Sequence, residues 1–463
     1  MSTRLPRLVA ALTLLSLGAV FALRPQAEAL VDLDFDAAHD FLGIGAQMWA
    51  RQGAAQGQQQ LLRDMNAQFV RVSIEPESKN RQGEFPPGQS VERYYEIVSR
   101  SFGTNHERNI RDFRNIIEPL RIKTHLIYWH MPEEWMQAVD RKAGSKKHAH
   151  LAVDARIPDY ANLLTAELMW VTRQGGIQPY AVELTNEPQG AWGCKYTPEQ
   201  YAELVQDTRK SLDAHGLQGV RIEGPGTGVR NFPEFLPALR SRGALKDLAL
   251  ITAHAYQTPQ EMDQPGTAGY SEFLGRGQYG QIIMTEFGVK KHGADDADSS
   301  AGADLDVSSH DYGLATGAES LKLLGRGASG LIYWQLQDFG FSKKEHGALD
   351  EAGRRRPVAS ALQALFGHIP APARTAAGVG GIGEVPVEGF TANGRVFVAM
   401  ANLSGAPQRI NVRVRGATVH GVAGIDGFAN GKLANDVVTG AVVSGGAFSG
   451  TIAPRSLATV ALR

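Results

Sequence analysis

Eight short apolar runs, spread over residues 41–367 with helical patterns between them, constrain this chain more than any other feature. They are FLGIGAQ (41–47), QFVRVSI (68–74), IKTHLIYW (122–129), YAVELTN (180–186), GVRIEG (219–224), LALITAHAY (248–256), QIIMTEF (281–287) and SGLIYWQL (329–336). Continuous runs rich in β-branched residues are the signature of strands buried on both faces. The segments between them are amphipathic, and residues 197–216 show how such a helix is delimited. Thr197 with Gln200 makes a capping box, and Pro198 takes the first helical position. Tyr201, Leu204, Val205 and Leu212 share one face, and Gly216 ends the helix. Eight strand–helix alternations predict an α/β chain with a (β/α)8 TIM barrel over residues 38–368.

The texture changes after HIPAPARTAAGVGGIGEVP (368–386). RVFVAMANLS, RINVRVRG and GTIAPRSLATVALR alternate apolar and polar residues between Gly-rich turns, which predicts an appended C-terminal antiparallel β-sandwich at 375–463. Residues 30–37 are expected to add a strand to it. All six Trp and all twelve Tyr precede residue 335, so this unit offers little for stacking on sugars and is expected to be structural. The G-x-G-x-x-G at 378–383 has no helix after it, and Pro386 comes at once, so it reads as a flexible linker and not a nucleotide site.

Residues 1–29 read as a signal peptide, with Arg4 and Arg7 before an apolar stretch and Ala27-Glu28-Ala29 as the cleavage site. The mature protein is therefore expected in the periplasm or outside the cell, with no membrane partner after cleavage. A net charge of −1 gives no argument for nucleic acid. The sole cysteine, Cys194, precludes an intramolecular disulfide, and the chain is expected to be monomeric.

In such barrels the chemistry sits at the C-terminal ends of the strands. Those ends carry Trp49, Arg71, Trp129, His130, Asn186, Glu187, His254, Tyr256, Glu286 and Trp334. Glu187 ends the fourth strand and Glu286 lies in the seventh, across the mouth from it. Two opposed carboxylates are what glycosidic cleavage requires: one protonates the leaving oxygen, and the other attacks the sugar carbon or activates water. Glu183 shares the parity of Glu187 but sits roughly 13 Å deeper at about 3.3 Å per residue. A charge there needs a partner such as a second-strand Arg, and Glu183 reads as structural.

Arg71, TNEP (185–188), HAY (254–256), TEFG (285–288) and YW (333–334) resemble the catalytic apparatus of the clan A retaining glycoside hydrolases, in order and strand assignment. The appended sandwich, together with YWHMPEEWM (128–136), is most similar to glycoside hydrolase family 30, with the family 5 cellulases second. The resemblance implies Glu187 as general acid/base and Glu286 as nucleophile. It implies that Asn186 bonds the sugar 2-hydroxyl and that Trp334 floors the subsite holding the attacked sugar. His254 and His130 would contact substrate or orient the acids. Arg71 and the Tyr256 hydroxyl would favour the charged form of Glu286.

Trp49, Trp135, Trp192 and Tyr196 fall in rim segments and are expected to offer further sugar platforms, while Trp170 belongs to the core. Residues 290–306 read as a polar rim loop without calcium-loop spacing. The expected activity is double displacement on a β-linked poly- or oligosaccharide, with no cofactor and no metal. An exo-acting glycosidase, a transglycosylase and a non-catalytic sugar-binding barrel are the alternatives.

Overall fold

The computed structural model describes residues 28–49, 56–73, 85–101, 110, 113–129, 131–138, 150–190, 194–262, 279–289, 305–338, 346–380 and 385–463. Eight parallel strands close into a barrel in chain order: β1 (Gly43–Trp49), β2 (Phe69–Ser73), β3 (Lys123–Ile127), β4 (Ala181–Glu183), β5 (Arg221–Gly228), β6 (Leu248–Ala255), β7 (Ile282–Phe287) and β8 (Gly330–Tyr333). β4 pairs with both β3 and β5, and β8 returns to β1, so no edge is left open. The register sets Gln47 beside Arg71, and Arg71 beside His125.

The barrel interior changes character with height. Phe69, Ala181, Leu250, Ile283 and Ile332 form a small apolar plug. Nearby, the buried His125 Nδ1 lies 2.8 Å from Glu223 Oε2, across from β3 to β5. Glu183 then meets Arg71, giving the buried acid the counter-charge it needs. The helices form as the sequence pattern predicts. The one at Pro198–Ala214 starts with the Thr197–Gln200 capping box, and Gly216 follows its end at φ +80°.

The C-terminal region is a run of paired strands around a second apolar core that includes Val31, Leu33, Val398, Val412, Phe448 and Val460. Two expectations are corrected here. Gly378–Gly380, expected as linker, belong to the strand Ala373–Gly380, antiparallel to Glu28–Asp34 on one side and to Val387–Ala392 on the other. Its Ala- and Gly-rich sequence gives a weak strand signal, and neighbours distant in the chain supply the pairing. The region is also not purely antiparallel, because Glu28–Asp34 runs parallel to Gln408–Arg415. A parallel pair needs a long crossover, and the whole barrel serves as one. This strand begins at Glu28, two residues ahead of the expected mature start.

Sheet and barrel share packing. Phe41 lies 5.0 Å from Phe390 and 6.1 Å from Phe366, ring centre to ring centre, and the Thr459 hydroxyl donates to the Leu365 carbonyl. A Cβ on Gly317 would come within 2.5 Å of Leu457, so glycine is what lets the helix His310–Gly325 lie against the sheet. Among the described residues no helix is long and apolar enough to cross a membrane. Residues 1–27 of the expected signal peptide lie outside them.

Candidate active site

The site is built around one guanidinium. Arg71, on β2, is fully buried and faces Glu183 from β4, Gln47 from β1, Glu286 from β7 and Asn186 just past β4. Its Nε donates to Glu183 Oε2 at 3.0 Å, and its Nη1 donates to Gln47 Oε1 at 3.0 Å and to Glu286 Oε1 at 2.8 Å. Its Nη2 donates to Asn186 Oδ1 at 2.9 Å. Burial alone would lower the Arg71 pKa, but the charges of Glu183 and Glu286 outweigh it and raise it. The planar fork of arginine can serve four partners at once, which a lysine ammonium on one stem cannot do in this geometry.

Glu286 takes its second hydrogen bond, on Oε2, from the Tyr256 hydroxyl. Burial, and then the charge of Glu286, push that hydroxyl well above the usual phenol range, so it remains a donor. His254 Nδ1 lies 2.9 Å from Glu187 Oε1 and 3.5 Å from Glu286 Oε2. Burial holds the imidazole below its usual range, and Arg71 adds to the lowering against the opposing pull of Glu286. His254 is therefore neutral at pH 7 and shares a proton with Glu187 without carrying a charge of its own.

Glu187 sits on a strained turn. Its φ is +47°, a conformation that a residue with a Cβ rarely adopts, held by its N–H on the Gly226 carbonyl and its own carbonyl accepting from Gly190 N–H. A Cβ on Gly190 would lie 3.2–3.3 Å from Glu187 atoms, so the turn closes tightly over the acid. One donor atom each of Glu187, His254 and Glu286 lie within 4.8 Å of one another. Such a trio could ligate a cation, but Arg71 already brings a positive charge 2.8 Å from Glu286.

Three indoles stand at the same mouth. Trp49 lies 5.7 Å from Trp129 and 5.8 Å from Trp334, and the last two are 6.1 Å apart. Each is half-buried, leaving ring surface for a ligand. Two expected platforms are corrected. Trp135 is 2% exposed and donates its indole N–H to the Phe85 carbonyl, and Tyr196 is 1% exposed. Both lie in loop sequence, but packing between those segments covers them. His130, Trp192 and residues 290–304 lie outside the described residues. Trp170 is core, as its helical position implies.

Gln47 is not among the expected site residues, although it shares side-chain parity with Trp49, two residues on. Glu183, structural by its depth, reaches the site through Arg71.

No family model matches the sequence, and no curated protein does. Solved structures match at the level of the whole fold, barrel and appended sheet together, and among them are glycoside hydrolases of family 30. A family 30 endoxylanase from Clostridium papyrosolvens C71 superposes with a TM-score of 0.67 at 15% identity, covering 94% of this chain and 100% of that one. SrfJ from Salmonella typhimurium gives 0.66 at 14% identity, covering 95% of this chain and 94% of that one. The endo-β1,6-glucanase BT3312 gives 0.63 at 14% identity, with 94% of each chain covered.

Proposed function

We propose that this protein is a retaining glycoside hydrolase that cleaves β-linked poly- or oligosaccharides by double displacement. The observation that carries the reading is the proximity of the two acids: an oxygen of Glu187 and one of Glu286 lie within 4.8 Å. Retaining enzymes hold their carboxyl groups about 5–5.5 Å apart, whereas inverting ones leave about 6.5–9.5 Å for a water.

Glu286, charged and held by Arg71 and Tyr256, attacks the anomeric carbon. Glu187 gives its proton to the departing glycosidic oxygen. Glu187 then takes a proton from water, which attacks the glycosyl-enzyme and releases Glu286 as a carboxylate. Asn186 turns its carbonyl to Arg71, so its amide NH2 is the part that can donate to the sugar 2-hydroxyl. Trp334, Trp49 and Trp129 form the wall against which apolar sugar faces stack. The fold neighbours include enzymes described as xylanases and as an endo-β1,6-glucanase, which supports a glycan substrate without choosing between those backbones. Secretion, a monomeric state and a structural sandwich belong to the same reading.

The test is reducing-sugar release from soluble xylans, β-1,3-, β-1,4- and β-1,6-glucans and bacterial exopolysaccharides, comparing the protein with Glu286→Ala. Activity abolished in the variant, with products of retained anomeric configuration by NMR, is the expected result. Equal release by both proteins would remove Glu286 from the mechanism. Binding without release would leave a sugar-binding barrel.

A further inference from the structure

The Trp49 indole is held at its far edge by a chain of buried polar groups that the two-acid mechanism does not use. Its N–H donates to Gln335 Oε1 at 2.8 Å, joining the end of β1 to the residue that follows Trp334. Gln335 is 4% exposed, and its amide NH2 donates to Asp338 Oδ1 at 3.3 Å. That oxygen also accepts from the backbone N–H groups of His346 (2.9 Å) and Gly347 (2.7 Å). The other Asp338 oxygen pairs with Arg356, whose guanidinium also donates to the Gly347 carbonyl at 2.8 Å. Asp338 and Arg356 are themselves buried, at 6% and 8% exposure. A Cβ on Gly347 would meet the Leu349 carbonyl at 2.3 Å and the Asp338 nitrogen at 2.4 Å, so this knot has no room to shift.

A lone indole at a cleft mouth rotates about its two side-chain torsions, and each orientation presents a different face. A buried hydrogen-bonded network removes that freedom before ligand arrives. We propose that Gln335 is a positioning residue of the sugar-binding wall: anchored by Asp338 and Arg356, it sets the orientation of Trp49 against Trp334 and Trp129. It touches neither carboxylate in the structure, so its effect falls on substrate binding and not on bond cleavage. The inference rests on the proposed glycan-binding reading of this cleft.

The experiment is a double-mutant cycle of Gln335→Met and Trp49→Phe, read by steady-state kinetics and by near-ultraviolet circular dichroism. Gln335→Met is expected to raise KM about tenfold with kcat within about threefold, the size of one lost buried hydrogen bond. In the Trp49→Phe background, which has no indole N–H to hold, the same change should alter KM by less than about twofold. Gln335→Glu keeps the accepting oxygen but sets a second buried carboxylate against Asp338, so it is not a rescue. Wild-type far-ultraviolet dichroism with the retained kcat separates lost positioning in Gln335→Met from poor folding. An equal effect in both backgrounds, or a loss confined to kcat, overturns the proposal. If the wild type turns over no glycan, the functional reading fails and the dichroism still decides. The indole band should change on Gln335→Met in the wild type and not in Trp49→Phe, and an unchanged wild-type band overturns the assignment of Gln335.

Discussion

Removing the Arg71 guanidinium tests how the buried charges at the barrel mouth are balanced. Arg71→Met keeps an unbranched apolar stem but leaves Glu183 and Glu286 without their shared counter-charge. Glu183 is fully buried, and among the described residues it also accepts from the hydroxyls of Thr252 at 3.1 Å and Thr285 at 3.4 Å. Breaking a buried pair by deleting one partner costs about 3–5 kcal/mol, most of it the stranded charge. Adding Glu183→Gln neutralises the deeper acid without changing its shape, and should recover about 1–3 kcal/mol of that loss. Urea unfolding followed by tryptophan fluorescence is the suitable assay, because all six Trp lie at or before residue 334 and report on the barrel. Activity should stay low in both variants, since Glu286 has lost its Nη1 donor in each. Strictly additive stabilities, or an Arg71→Met cost below about 1 kcal/mol, would refute the idea that Arg71 balances Glu183.

Other expectations follow from single positions. A Cβ at Gly226 would lie 1.6 Å from Glu183 Oε1, at a backbone φ of +61°. Gly226→Ala should therefore cost more than about 2 kcal/mol and displace Glu183 and Arg71, with a matching loss of glycan cleavage measured on the soluble fraction. Glu167, on the helix Ile157–Arg173, is buried, and among the described residues neither of its carboxylate oxygens has a hydrogen-bond partner. Burial pushes its carboxyl well above the usual range, so the folded state keeps a proton that the unfolded chain releases. The stability it allows is full below about pH 4.5 and falls as pH rises through the raised value. Glu167→Met should accordingly raise the urea midpoint at about pH 8, by the equivalent of about 1–3 kcal/mol, and change it little at about pH 4.5. Thr197→Ala removes a capping box that is complete in the structure and should cost about 1 kcal/mol by the same assay, with activity unchanged.

The sequence by itself determined the barrel, because strand and helix periods are local and eight repeats of them admit few closures. It also determined which strand ends carry acids: Glu187 and Glu286 were legible from their places in apolar runs. The counterpart of Glu183 on the second strand was legible too, since an acid deep in the interior demands a cation. What only the tertiary structure decided is how Arg71 divides its donors among Glu183, Gln47, Glu286 and Asn186, because that depends on register across four strands. Burial of Trp135 and Tyr196 was likewise a matter of which segments fold over them, not of their own neighbours in sequence. Ala373–Gly380 became a strand because Glu28–Asp34, more than 300 residues earlier, lies beside it. The knot that holds Trp49 joins residues 286 positions apart, and no local pattern connects an indole on the first strand to a glutamine after the eighth. Local chemistry is written along the chain, whereas the sharing of one charge or one hydrogen bond among distant groups is settled only by their packing.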